Sequence, residues 1–194
     1  MTDRIEWERR YGKRGAEPVA SASDFLRRHL DRLPRGRALD VACGDGRNAL
    51  FLAQHGFRVD AIDIARAGLQ RIQAIARREG FHVHAVQADL EEFPLARNHY
   101  DVVLNTCYLQ RLLWPGLKSA LRPAGIMVFE TFLIDQREIG HPRNPAFLLE
   151  RGELRDAFRD FDILQYEEGR FELGTGPVFL ARLLARRPAT WQAD

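Results

Sequence analysis

The sequence predicts a doubly wound α/β domain built on a largely parallel sheet. Short apolar runs alternate with amphipathic helical stretches from residue 37 to residue 132, the pattern of βαβ units. The first of these runs ends in a glycine-rich turn that opens a helix. The length of 194 residues, 45% hydrophobic and 29% charged, is that of one ordinary globular domain.

Residues 1–20, with Gly12, Gly15 and Pro18, read as an irregular or weakly helical arm, a candidate lid before a domain spanning 21–194. Residues 21–33 carry Phe25, Leu26, Leu30 and Leu33 on one helical stripe, with Ser21 or Ser23 as N-cap. Residues 37–42 form the first buried strand, 48–55 a helix and 57–62 the second strand. Residues 65–79 are helical and stop at Gly80; 81–87 and 100–104 are strands three and four. Residues 109–121 read as a helix interrupted at Pro115-Gly116, and 125–132 as strand five. A loop over 135–147 and a short helix over 150–158 follow. Strands over 160–167 and 177–186 are joined without room for a crossover helix, which makes them an antiparallel hairpin.

Composition excludes several classes. No apolar run is long enough to span a membrane, and the charged N-terminus lacks a signal-peptide core. Cys43 and Cys107 form no CxxC pair, which argues against a disulfide or zinc site and makes the cytoplasm the expected compartment. Arg outnumbers Lys 27 to 2, yet 27 acidic residues are interspersed and the net charge is only +2. That balance argues against a nucleic-acid partner and is met by Arg spread over solvated faces.

The most specific motif is Asp40-Val-Ala-Cys-Gly44-Asp-Gly46-Arg-Asn48, at a strand end and a helix start. Its glycines permit a tight turn and close ligand approach, and the helix behind offers free N–H groups. Gly44-x-Gly46-x-x-Ala49 also satisfies the dinucleotide fingerprint, with Asp63 placed 19 residues past Gly44 to hold ribose hydroxyls. Two ligands are therefore open. Asp40 weighs against a dinucleotide, because an acid there repels a pyrophosphate and suits a ligand with positive charge.

This constellation resembles the class I S-adenosylmethionine-dependent methyltransferases. The resemblance covers Asp40, Gly44 and Gly46, then Asp63 closing the second strand, Asp89 in Gln87-Ala-Asp-Leu90, Asn105 closing the fourth strand, and Leu121-Arg-Pro-Ala-Gly125 before the fifth. It implies a Rossmann-like seven-stranded sheet of order 3-2-1-4-5-7-6 with an antiparallel last strand. It also implies S-adenosylmethionine as cofactor, held by Asp40, Ala42, Gly44, Gly46, Asn48, Asp63, Ile64, Asp89, Leu90 and Asn105. Gly44 and Gly46 are expected against its methionine portion, where a Cβ would collide with the ligand or force an unfavourable φ, and Gly46→Val is expected to lose binding in a folded protein. A narrower resemblance, on Trp7, Tyr11, Pro18, Asp24-Phe-Leu26 and Gly46-Arg-Asn48, is to the tellurite-resistance and thiopurine-methyltransferase-like branch.

The expected activity is methyl transfer to a small-molecule acceptor by in-line displacement, from a monomer or weak homodimer. A nucleic-acid or protein methyltransferase and a non-catalytic cofactor-binding module are the alternatives. On the acceptor side the candidates are His141 and Arg143 in the 135–147 loop, which with Trp7, Tyr11 and Arg14 of the arm would cover the site. Both covering segments are expected to be mobile until ligand orders them. Cys107 reads as a small buried residue, and Arg111 equally as a partner for a carboxylate or as a solvated helix residue.

Overall fold

The computed structural model describes residues 2–13, 19–174 and 176–192, so Arg14, Gly15 and Pro18 lie outside the described residues. Strands β1 (Arg37–Val41), β2 (Arg58–Asp63), β3 (Val83–Gln87), β4 (Tyr100–Thr106), β5 (Leu121–Phe132), β6 (Asp162–Leu173) and β7 (Gly176–Arg186) form one sheet. Their order is β3-β2-β1-β4-β5-β7-β6, and β7 runs antiparallel to both neighbours, as expected. Among the described residues no helix is long and apolar enough to cross a membrane.

Side-chain alternation divides the sheet into two faces. Leu39, Val41, Ile62, Val103, Met127 and Phe129 face α5 (Trp114–Ala120) and α7 (Glu153–Ala157). Ala38, Val59, Ala61, Val102, Leu104 and Val128 face α2 (Asp24–Arg28), α3 (Arg47–Gln54) and α4 (Arg66–Glu79). Asp40 shares the parity of Ala38, so its carboxyl is directed to the second face, under the start of α3.

Several boundaries differ from the expectation for identifiable reasons. The arm contains an 11-residue helix, α1 (Thr2–Gly12), which its polar composition concealed. The 21–33 stripe breaks into α2, capped by Ser23, and a 3-10 turn over Leu30–Arg32. Pro115 lies in the first turn of α5, where a missing N–H costs nothing, so it starts that helix rather than interrupting one. β5 begins at Leu121, four positions early. Leu121 pairs with Tyr100 across a register shift in β4, which tolerates Pro123 and the left-handed Ala124 (φ 66°). The hairpin strands run on through residues 168–173, where Glu168, Gly169, Arg170 and Glu172 break up the apolar pattern around Phe171 and Leu173. The 135–147 loop holds one helical turn, α6 (Gln136–Ile139), and a 3-10 turn at Pro145–Phe147.

Candidate active site

Parallel pairing brings the carboxyl ends of β1, β2, β3 and β4 to one edge, where open α/β sheets bind their ligands. The glycine loop leaves β1 there. Ala42 sits at φ 51°, Gly44 at φ 60° and Gly46 at φ 85°. A left-handed alanine costs about 1–2 kcal/mol, of which glycine's extra unfolded entropy would return about 0.4–1 kcal/mol. Ala42→Gly is therefore expected to raise stability by about 0.5–1 kcal/mol, read as a higher urea midpoint at unchanged slope.

Each glycine has its own neighbour. A Cβ on Gly44 would fall within 3.0 Å of the Tyr11 ring and hydroxyl, which places α1 over the loop. Tyr11 stacks on Trp7, and Glu8 accepts from the Ala67 N–H at the start of α4 at 3.3 Å. A Cβ on Gly46 would meet the Ile72 side chain of α4, and one on Gly68 would meet the Gly44 carbonyl, both closer than 3.0 Å. Gly46 thus also makes room for a helix, a packing constraint that the motif did not reveal. Gly68 was missed, although an isolated glycine inside a helical pattern is itself a signal of close packing.

Asp63 is 6% exposed. Its Oδ2 accepts from Gly44 N and its Oδ1 from Ala65 N, both at 2.8 Å. Burial raises its pKa, and the amides of Ala65, Gly44 and Ile64 oppose that rise. It therefore braces the glycine loop. Asp40 is wholly buried, and neither carboxyl oxygen has a hydrogen-bond partner among the described residues. Desolvation pushes its pKa up to about 7; Arg47 and the Ala49 amide pull it down and Asp63 pushes it further up. Asp89 is exposed and accepts from Glu91 N in the turn after β3; Leu90 is buried beside it and Ile64 is half-buried after β2.

Asn48 turns its carboxamide to two neighbours. Its Oδ1 accepts from Ser23 N at 2.9 Å, and its Nδ2 donates to Thr106 Oγ1 at 2.8 Å. Ser23 Oγ donates to Glu130 at 2.9 Å, and Arg182 Nε donates to the other oxygen of Glu130 at 2.6 Å. This buried chain joins α3 to the ends of β4 and β5 and to the middle of β7. The sequence offered no sign of it, because Glu130 and Arg182 stand inside apolar runs 52 residues apart.

Past β4, Asn105 donates to the Tyr108 carbonyl at 2.7 Å, closing the turn. Cys107 is exposed, with φ 56°, which corrects the buried reading. Enough protein surrounds its sulfur that desolvation, then Glu130, pushes the thiol up to about 11. Arg47 Nη2 lies 3.9 Å from this sulfur. Arg111 pairs with both oxygens of Glu153 and donates to the Leu148 and Ala146 carbonyls. The 135–147 loop is pinned further by Gln136, which accepts from Phe179 N and donates to the His141 carbonyl. His141 and Arg143 are both exposed at its tip.

Residues 38–125 match the family model described as a methyltransferase domain. That match covers slightly less than half of the chain and makes this segment similar to methyltransferase domains. The chain is similar to the malonyl-[acyl-carrier protein] O-methyltransferase of Enterobacter lignolyticus. It is 33% identical over 164 residues, 77% of this chain and 57% of the relative. Hemagglutinin 1 of Eikenella corrodens is 29% identical over 157 residues, covering 77% and 52% of the two chains. The chain thus spans about half the length of the curated relatives it matches. The crystal structure of TehB from Haemophilus influenzae superposes with a TM-score of 0.74 at 22% identity, covering 93% of this chain and 67% of that one. That likeness establishes the fold.

Proposed function

We propose that the protein transfers the methyl group of S-adenosylmethionine to a small-molecule acceptor. The observation that carries this reading is the pair of buried acids around the glycine loop: Asp63, braced by the loop's own amide, and Asp40, left without a partner. Two acids suit a cationic ligand with a ribose diol and repel a pyrophosphate. The sulfonium supplies an already activated methyl group, so the protein's part is to bind, orient and exclude water. Asp63 would accept from the ribose hydroxyls. Ile64 and Leu90 would flank the base, and Asp89 would face its amino group. β2 and β3 pair in parallel with Asp63 opposite Gln87, which sets these two turns side by side. The acceptor would enter over Asn105 to Tyr108, under the exposed tip bearing His141 and Arg143. Relatives named for O-methylation of malonyl-[acyl-carrier protein] and for ubiquinone biosynthesis support a small acceptor.

Calorimetric titration with S-adenosylmethionine beside NAD tests the cofactor, and an acceptor screen reading S-adenosylhomocysteine release tests the activity. Binding of NAD and not S-adenosylmethionine would reject the reading. Asp63→Asn is expected to weaken cofactor binding by about 1.5–3 kcal/mol, roughly tenfold or more. Alanine is the poorer probe at this position, because it would strip two buried backbone amides of their acceptor and disturb the loop itself.

A further inference from the structure

Asp40 is a wholly buried acid that nothing in the described protein satisfies. Buried polar groups are nearly always paired, and an orphaned carboxylate is costly enough to need a reason. Capping α3 does not supply one. The N-cap of α3 is Gly46, without a side chain, and the Ala49 amide favours the charged form of Asp40 without closing a hydrogen bond. The cation best placed to neutralise it, Arg47, turns its guanidinium to Cys107 instead. From β2, Asp63 presents a second negative group, and from the loop Cys43 presents a thiol that burial and both acids keep protonated. β1 and β4 place Asp40 beside Leu104, which is apolar. The net result is a buried acid that Arg47 draws only part of the way back toward its charged form and that no hydrogen bond satisfies.

We propose that Asp40 holds a proton in the ligand-free protein and releases it when the cationic cofactor settles on the glycine loop, which makes Asp40 a cation-selecting residue and cofactor binding proton-linked. This rests on the reading that S-adenosylmethionine is the ligand. The sign follows from linkage: the free protein prefers the protonated acid and the complex prefers the ionised one. Affinity therefore rises as pH increases from 5 toward 7 and levels off above it. The steepest rise is about tenfold per pH unit. Asp63 does not substitute for this role, because two amides already hold its charge.

Two cationic groups of the cofactor, its ammonium and its sulfonium, could draw the proton. The test is calorimetry at pH 6.0 to 6.5, where an α-amino group of ordinary pKa ~8 stays charged, in buffers of different ionisation enthalpy. S-Adenosylmethionine, S-adenosylhomocysteine and methylthioadenosine are compared. Release with the first two alone assigns the ammonium, and release with S-adenosylmethionine alone assigns the sulfonium. Binding without proton release, or equal release with methylthioadenosine, overturns the proposal; failure of S-adenosylmethionine to bind at any pH rejects instead the functional reading. Asp40→Asn, checked for folding by circular dichroism, should abolish the release and flatten the pH profile. Should that variant not fold, infrared difference spectra of the unaltered protein serve. Ligand must then bleach a protonated-carboxyl band, and an unchanged band overturns the proposal.

Discussion

Arg182→Ala is expected to destabilise the protein by about 3–5 kcal/mol, because it leaves Glu130 charged and buried with Ser23 as its remaining side-chain partner. Arg182 is 3% exposed and Glu130 5%. The loss extends beyond the ion pair. The Arg182 guanidinium lies 4.0 Å from the centroid of Phe171 and also donates to Glu167. Burial alone would raise the pKa of Glu167, and bonds from Arg28 and Arg182 reverse that and hold it low. Replacing both partners with apolar residues, Arg182→Met with Glu130→Leu, is expected to recover most of the stability, since the desolvation penalty disappears with the charges. The pair's stability contribution is therefore not what keeps it. Its position suggests geometry: Glu130 holds Ser23, Ser23 holds Asn48, and Asn48 reaches Thr106 beside the proposed acceptor edge. Urea unfolding of the single and double variants checks the prediction. A single variant losing under about 1 kcal/mol would mean that water already solvates Glu130, against its burial here.

The strands were legible because short apolar runs and glycine stops are local signals, and Asp40, Gly44, Gly46 and Asp63 cluster around one turn; the strand order came only from the family resemblance that those residues carry. What was hidden depends on partners distant in sequence. The polar helix α1 gains its place from Tyr11 over Gly44 and Glu8 at the start of α4, neither of which a periodicity can reveal. The Glu130–Arg182 pair joins adjacent antiparallel strands, and a charge inside an apolar run gives no hint of what faces it. The bracing of Asp63 by Gly44 likewise appears only once β2 lies beside β1. Arg111 could be read as a carboxylate partner, but not as the residue that fixes the loop after β5, because Glu153 is 42 positions away.

Gly46→Val is expected to unfold the protein or destabilise it severely, where the motif alone suggested a folded variant that merely fails to bind. Two independent costs meet at this position. The backbone φ of 85° lies in the left-handed region, where a non-glycine residue costs about 1–2 kcal/mol and a β-branched one is a severe outlier. The new Cβ would also fall closer than 3.0 Å to Ile72 Cγ1 and Cδ1. Ile72 is wholly buried in the core of α3, α4 and β2, so it has no solvent to move into. Overpacking of that kind typically costs about 1–3 kcal/mol, and γ-methyl groups on valine bring the sum to about 3–5 kcal/mol or more. A domain of this size has roughly 5–15 kcal/mol in total, so most of its margin would be lost. Gly46→Ala separates the two costs, since it keeps the strain and the Cβ but adds no further methyls. It should fall between wild type and Gly46→Val in thermal midpoint. Gly46→Ala combined with Ile72→Val should recover part of the loss by trimming Cδ1, one of the two colliding atoms. If Gly46→Val retained the wild-type midpoint while losing cofactor, Gly46 would face the ligand after all, and the seating of α4 against the loop described here would be wrong.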